Sequence, residues 1–176
     1  MMTRHAPIVQ RLESLTEPQL QSLAGLLLDA VDGGASVSFM QPLSLPRALA
    51  FWQGVADGVA SGERALFVAQ DAAGIVGTVQ LILAQPDNQP HRADVAKMLV
   101  HRRARRQGLG AALMQAAELA ARACGKTLLV LDTASDDAER LYTRQGWQRV
   151  GVIPGYALLP TGEPCDTTYF YKVLGG

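Results

Sequence analysis

The chain has 176 residues, 48% of them hydrophobic and 18% charged, with 16 Lys plus Arg against 16 Asp plus Glu. That balance supplies no global field for nucleic acid or an anionic membrane, and the composition excludes a disordered or low-complexity chain. No run approaches the roughly 18 apolar residues of a membrane span, and the opening MMTRHAPIVQRLES has no apolar signal core. The expectation is one cytoplasmic domain over residues 1–176. Cys124 and Cys165 offer neither a disulfide framework nor metal spacing, and Cys124 falls near a helix C-terminus, where the dipole disfavours a thiolate. His5, His91 and His101 are too scattered to hold a metal, so none is expected.

In chain order, Pro7 to Leu12 suits a first strand. Thr16-Glu17-Pro18-Gln19 then matches a capping box and opens a helix through Leu20, Leu23, Leu27 and Ala30, ended by Gly33-Gly34. A second helix is predicted after Ser44, with Pro46 in its first turn, running through Trp52 and Val55 towards Gly62. Ala65 to Gln70 and Ile75 to Leu83 read as a hairpin about Asp71-Ala72-Ala73-Gly74, and Gln85 to Pro90 as a loop. Ala93 to Val100 reads as a strand. It leads to a helix from Gly108 with Leu109, Ala112, Leu113, Ala116 and Ala120 on one face. Thr127 to Asp132 is a short buried strand. After Gly146-Trp147 come a strand near Gln148 to Ile153, a loop around Pro160-Thr161-Gly162-Glu163-Pro164, and a last strand from Thr167 to Val173. The pattern is α/β (α+β): one mixed sheet with helices on both faces.

Arg105-Arg106-Gln107-Gly108-Leu109-Gly110 is the segment with the clearest chemistry. It sits between a strand and a helix N-terminus, where the first backbone N–H groups lack intrahelical partners and the macrodipole favours an anion. Gly108 and Gly110 carry no Cβ to hold a phosphate away. An ordinary strand-to-helix turn would have the same spacing. The segment lacks the Gly-Lys-Ser/Thr of a Walker loop and the third glycine of a dinucleotide fingerprint. Arg102, Arg103, Arg105 and Arg106 crowd beside it, either as a solvated helix entrance or as phosphate ligands.

Two motifs carry a family resemblance. Arg105, Gly108 and Gly110 match the acyl-CoA signature Gln/Arg-x-x-Gly-x-Gly/Ala, and Ala138-Glu139-Arg140-Leu141-Tyr142-Thr143-Arg144-Gln145-Gly146-Trp147 matches Ala-x-x-Leu-Tyr-x-x-x-Gly-Phe. In both, and in their separation, the chain resembles the GNAT N-acetyltransferase superfamily. Gly33-Gly34-Ala35-Ser36-Val37-Ser38-Phe39-Met40, Pro154-Gly155-Tyr156 and the closing Tyr169-Phe170-Tyr171-Lys172-Val173-Leu174 further resemble the tabtoxin-resistance acetyltransferases, which acetylate a small amine-bearing toxin.

The resemblance implies the GNAT fold with a mostly antiparallel sheet, acetyl-CoA as acetyl donor, and a small-molecule primary amine as acceptor. It leaves room for a homodimer, for a protein or peptide acceptor, and for a CoA-binding sensor without turnover. It places Met98, Leu99 and Val100 against the pantetheine arm by their backbone groups, and the amides from Arg105 through Arg106, Gln107, Gly108, Leu109 and Gly110 to Ala111 on the pyrophosphate. Ser135 stands where many relatives carry an Asn that contacts CoA, which weakens that contact. Tyr142, otherwise an aromatic core residue beside Ala138 and Leu141, takes the place of the tyrosine that protonates the departing thiolate.

The amine must lose a proton before it attacks, so a carboxylate on a strand is the natural partner. Asp94 and Asp132 are the candidates. For Asp94 the plain alternative is a salt bridge to Arg92 or Lys97, and for Asp132 a capping role beside Thr133 and Ser135. Asp32, Ser36, Phe39 and Tyr156 are the candidate acceptor contacts, with Trp52 a further candidate for the same cavity.

Overall fold

Continuous and alternating apolar runs assemble into a seven-stranded sheet of order β1-β2-β3-β4-β5-β7-β6. The computed structural model describes residues 7–175, so His5 and the stretch before Pro7 lie outside the described residues. The strands are β1 (Ile8–Leu12), β2 (Arg64–Asp71), β3 (Gly74–Ile82), β4 (Arg92–Val100), β5 (Leu128–Thr133), β6 (Gln148–Leu158) and β7 (Pro164–Val173). The helices are α1 (Glu17–Asp32), α2 (Leu45–Ser61), α3 (Leu109–Ala123) and α4 (Asp136–Arg144). Every neighbouring pair of strands is antiparallel except β4 and β5, which are parallel and joined by α3 as a crossover.

Each face of the sheet has its own core. On one, α1 and α2 bury Leu23, Leu27, Trp52 and Val55 against Leu66, Val68 and Leu99. On the other, α3 and Tyr142 of α4 pack on Phe67, Val79, Leu81, Leu129 and Phe170. The ends of α1 follow from local chemistry. Thr16 and Gln19 form the reciprocal capping box, and Gly34 takes a left-handed φ of 86° just past the last turn.

Three expectations shift. The buried stripe of α3 is Leu109, Leu113, Met114, Ala117 and Ala121, while Ala116 and Ala120 only flank it and Ala112 is half-buried. Small alanines all round that helix hide its rotation from a periodicity argument. The β6–β7 hairpin is longer than predicted, because an irregularity between Ile153 and Ala157 absorbs Pro154 and Gly155 without ending the strand. Proline is tolerated there because β6 is an edge strand. Trp52 does not reach a cavity: it is fully buried between the α1/α2 layer and the sheet, with Phe51 edge-on at 5.0 Å.

Truncating so large a buried ring leaves a void the two helices cannot close. Trp52→Ala should lower unfolding free energy by about 3–5 kcal/mol, measured as a shift in the urea midpoint at unchanged slope.

Candidate active site

β4 and β5 stay paired for only three residues, Arg92 to Asp94 against Leu128 to Val130, although both strands continue beyond them. The opening begins where β4 is distorted. Thr78 faces Leu99 and Gln80 faces Ala96, so two β4 residues, Lys97 and Met98, oppose the single residue Val79. Lys97 sits in the left-handed region at φ 51°. Such a bulge bends a strand and increases its twist, which carries the C-terminal half of β4 away from β5.

The gap becomes a cavity of about 1040 Å³. Its floor is Val95 to Val100, and its far walls are Leu131 to Ser135 and the α4 face that carries Ala138, Leu141 and Tyr142. One end is the glycine turn, with Arg105, Arg106, Gly108, Leu109, Gly110 and Ala111; the other is Ala35 to Met40 together with Tyr156 to Leu159. Gly108 adopts φ 77°, a conformation that glycine takes without a Cβ clash, and serves as the N-cap of α3 with no side chain in front of the free amides. At Gly110 a Cβ would come within 3.0 Å of Leu141 and 3.7 Å of Met98, so glycine lets α3 start close against β4 and α4.

Among the described residues, three that are not glycine have a positive φ: Ser38, Lys97 and Arg106. All three line this cavity. Left-handed backbone costs roughly 1–2 kcal/mol per residue outside glycine, and strain of this kind gathers where a site needs a particular geometry.

The arginine cluster divides. Arg102 donates to Asp29 at 2.9 Å and Arg103 grips Asp71 through two nitrogens at 2.6 and 3.2 Å, so both anchor the turn to the body of the protein. The Arg103 hydrogen bonds hold Asp71 below the usual carboxylate range. Arg105 and Arg106 face the cavity, joined from α4 by Arg140 and Arg144, which the sequence reading missed because their places in the helix motif carry no fixed residue. Gln107 is exposed and does not line the cavity.

The two candidate aspartates separate as well. Asp132 lines the cavity and accepts a hydrogen bond from Thr167 Oγ1 at 2.7 Å. It is not the α4 cap: Ser135 is, its hydroxyl accepting from the Ala138 amide at 3.2 Å, while Thr133 Oγ1 accepts from Ser135 N. Asp94 is not part of the lining. It lies further back on β4, where the strands are still paired, with its carboxylate on the Arg92 guanidinium and the Gln85 amide. The sequence places both aspartates on strands, but only the splay decides which one meets the cavity.

Tyr142 is buried between Trp147 and Phe170 and reaches the cavity wall. Burial, and then the negative charge of Asp132, push its hydroxyl pKa well above the ordinary tyrosine value, so it stays protonated. Ser36, Phe39 and Tyr156 line the cavity, with the Tyr156 hydroxyl 3.1 Å from that of Tyr169. That hydrogen bond, with burial, raises Tyr169 to about 12. Asp32 is exposed at the last position of α1 and does not reach the lining. Lys97, overlooked as a strand lysine, points its Nζ at Ser38 Oγ at 2.9 Å and lies 6.0 Å from the Phe51 ring centroid. Burial pulls its ammonium below the ordinary lysine range, and Asp132 opposes that shift.

The arrangement is that of a group-transfer site. A helix N-terminus with guanidinium groups suits a phosphorylated carrier at one end, an apolar and tyrosine-bearing pocket holds the other, and a protonated hydroxyl and a carboxylate stand between them. The sequence model of the GNAT acetyltransferase domain matches residues 62–149. An uncharacterized N-acetyltransferase from the hisH-hisA intergenic region of Azospirillum brasilense is 32% identical over 126 residues, spanning 70% of this chain and 73% of that protein. The fold is similar to that of a ribosomal-protein-alanine N-acetyltransferase from Brucella melitensis (TM-score 0.78, 20% identity, 95% of this chain and 99% of that one). It is also similar to a phosphinothricin acetyltransferase from Sinorhizobium meliloti in complex with AcCoA (TM-score 0.78, 16% identity, 97% and 90%). The chain belongs to the GNAT acetyltransferase family.

The Tyr142 shift has a stability consequence. Its folded pKa lies above the unfolded value near 10, so above that pH the unfolded chain binds fewer protons and stability falls as pH rises. Below it the stability contribution is fully present. Urea midpoints measured across this alkaline window should fall more steeply for the native protein than for Tyr142→Phe, the difference approaching at most about 1.4 kcal/mol per pH unit.

Proposed function

We propose that this acetyl-CoA-dependent N-acetyltransferase transfers its acetyl group directly, in a ternary complex, to the primary amine of a small molecule. The observation that carries the small acceptor is a bridge beside the cavity. The segment after α1 is tied to the β6–β7 turn by the Gln41 amide on the Pro160 carbonyl at 2.9 Å, and Cys165 Sγ meets Ser36 Oγ at 3.5 Å. A peptide needs an open groove between those two segments, and here they bridge each other. The resemblance to the tabtoxin-resistance acetyltransferases supports an antibiotic-like or toxin-like amine. It also fits a cytoplasmic enzyme made of one domain, where the donor is available. Among the described residues no helix is long and apolar enough to cross a membrane.

The residues fit the donor. Past Asp94 no ladder joins β4 to β5, so the β5-facing edge of Met98, Leu99 and Val100 is open to the amide-rich pantetheine arm, as an added strand would use it, with the Val100 carbonyl carrying a 3.4 Å hydrogen bond from Arg105 Nε. The amides of Arg105, Arg106 and Gly108 to Ala111 are assigned to the pyrophosphate, and Arg105, Arg106 and Arg144 supply charge-assisted donors around it, with Arg140 held on Asp137 beside them. Ser135, committed to capping α4, offers its hydroxyl only weakly. Acetyl-CoA supplies an activated acyl thioester.

An amine with a pKa near 10.4 must give up its proton at a cost of roughly 4.6 kcal/mol at pH 7. Asp132 is the group placed to accept that proton, directly or through water, held in position by Thr167. As the new C–N bond forms and the C–S bond breaks, Tyr142, kept protonated by its burial, donates to the leaving sulfur. Asp94 serves the sheet through Arg92.

Tyr142→Phe should retain the fold and coenzyme A affinity by calorimetry and lose about 100-fold in turnover; unchanged turnover removes the hydroxyl from the reaction. The acceptor class is tested by incubating the protein with acetyl-CoA and following free thiol release over a panel of small primary amines and of peptides with free N-termini or lysines. Release with small amines alone is expected. Release only with peptides overturns the proposal, and coenzyme A binding without release on either panel makes the protein a sensor.

A further inference from the structure

Lys97 is unusual in four respects at once. It occupies the extra position of the β4 bulge in left-handed backbone, it is half-buried, it faces the cavity, and its ammonium meets Ser38, itself left-handed at φ 78°. A long basic side chain loses rotamer freedom and hydration when held this way, and a lone serine hydroxyl is a weak recompense for either. The nearest natural counter-charge, Asp132, lines the same cavity, yet the two do not pair. Lys97 takes Ser38 and Asp132 takes Thr167, and both residues line the one cavity.

An ammonium and a carboxylate presented separately to one cavity complement a molecule of the reversed polarity. We infer that the acceptor carries an oxyanion beside its amine, and that Lys97, with the Ser38 hydroxyl, binds that carboxylate or phosphonate while Asp132 receives the amine. The proposal rests on the small-amine acceptor above and deepens it. The Phe51 ring, on which the Lys97 ammonium rests, keeps the cation in place without neutralising it. Phe39 and Met40 line the same end and offer apolar surface to the rest of the acceptor. The four arginines that line the cavity come from the glycine turn and α4 rather than from β4, so the oxyanion of the acceptor has a cation apart from those assigned to the phosphates of the donor.

The test uses sets of four matched acceptors with acetyl-CoA: an amino acid, its carboxamide, the amine lacking the carboxyl, and the corresponding aminophosphonate, with apolar, polar and acidic side chains represented. The wild-type protein should favour the anionic members. Lys97→Met should raise KM for them about 10-fold or more, as expected for losing a charge-assisted hydrogen bond, and leave the neutral members within about threefold. Comparing variant with wild type for each acceptor cancels differences in intrinsic amine reactivity. Lys97→Arg should recover part of the preference, and Lys97→Gln is a second neutral variant if the methionine impairs folding, with coenzyme A affinity as the control. The carboxylate and phosphonate arms show which oxyanion is favoured. An equal loss on all four acceptors would mean that Lys97 only ties the Ser38 segment to β4, which overturns the inference, as does a wild-type preference for neutral amines. Turnover confined to peptides overturns the small-amine proposal itself, a result distinct from turnover of small amines without charge preference.

Discussion

The parting of β4 from β5 is the constraint from which the rest of the site follows. Two parallel strands in one sheet normally pair along their common length, and here the ladder stops after Asp94 and Val130. The cause is local. One extra residue opposite Val79, with Lys97 in left-handed backbone, bends β4 while β3 continues to hold its other edge through Leu99 and Val100. Unpaired backbone is costly when dry, so the open half of β4 is stable because it lines a cavity that water or a donor molecule can fill. A second layer on each face keeps the opening from collapsing: Leu113 of α3 under Gly77, and the α1 and α2 core over Leu99.

Charge is sorted along the cavity by the same geometry. The glycine turn and α4 bring positive groups to one end, and two of the four arginines beside the turn are neutralised by Asp29 and Asp71, which fix the turn in place. Burial pushes Asp29 up, but the hydrogen bonds from Arg102 and the charges of His101 and Arg102 outweigh it and hold its pKa low. In the middle, burial and then the carboxylate of Asp132 raise the Tyr142 hydroxyl, and the same carboxylate opposes the burial that lowers the Lys97 ammonium, so one charge acts on two neighbours in the same direction. It favours the protonated form of both.

Much of the fold is legible in local signals because those signals report local physics. The capping box at Thr16, the Ser44 cap with Pro46 behind it, the Asp71 to Gly74 turn and the glycine turn before α3 each follow from backbone groups within a few residues of one another. Where the pattern is ambiguous, the sequence misleads. Alanines on every side of α3 conceal which face is buried, and a Pro-Gly pair that looks like a strand end is taken into an edge strand by an irregular register. Trp52 is equally plausible as a cavity wall and as a core residue until α1, α2 and the sheet close around it.

The sequence by itself determined the order of elements, the glycine turn that starts α3 and, through two motifs with their separation, the kind of carrier the chain is built for, since these depend on short spacings and on backbone chemistry at a helix start. Only the tertiary structure decided which side chains share the cavity. Asp94 and Asp132 are similar carboxylates on adjacent strands, and with a bulge in β4 beyond Asp94 only Asp132 lines the cavity. Lys97 and Ser38 are 59 residues apart, and Arg140 and Arg144 line the same cavity as the glycine turn from another helix. Side-chain partners across such separations are set by how sheet and helices pack, and no local spacing encodes that packing.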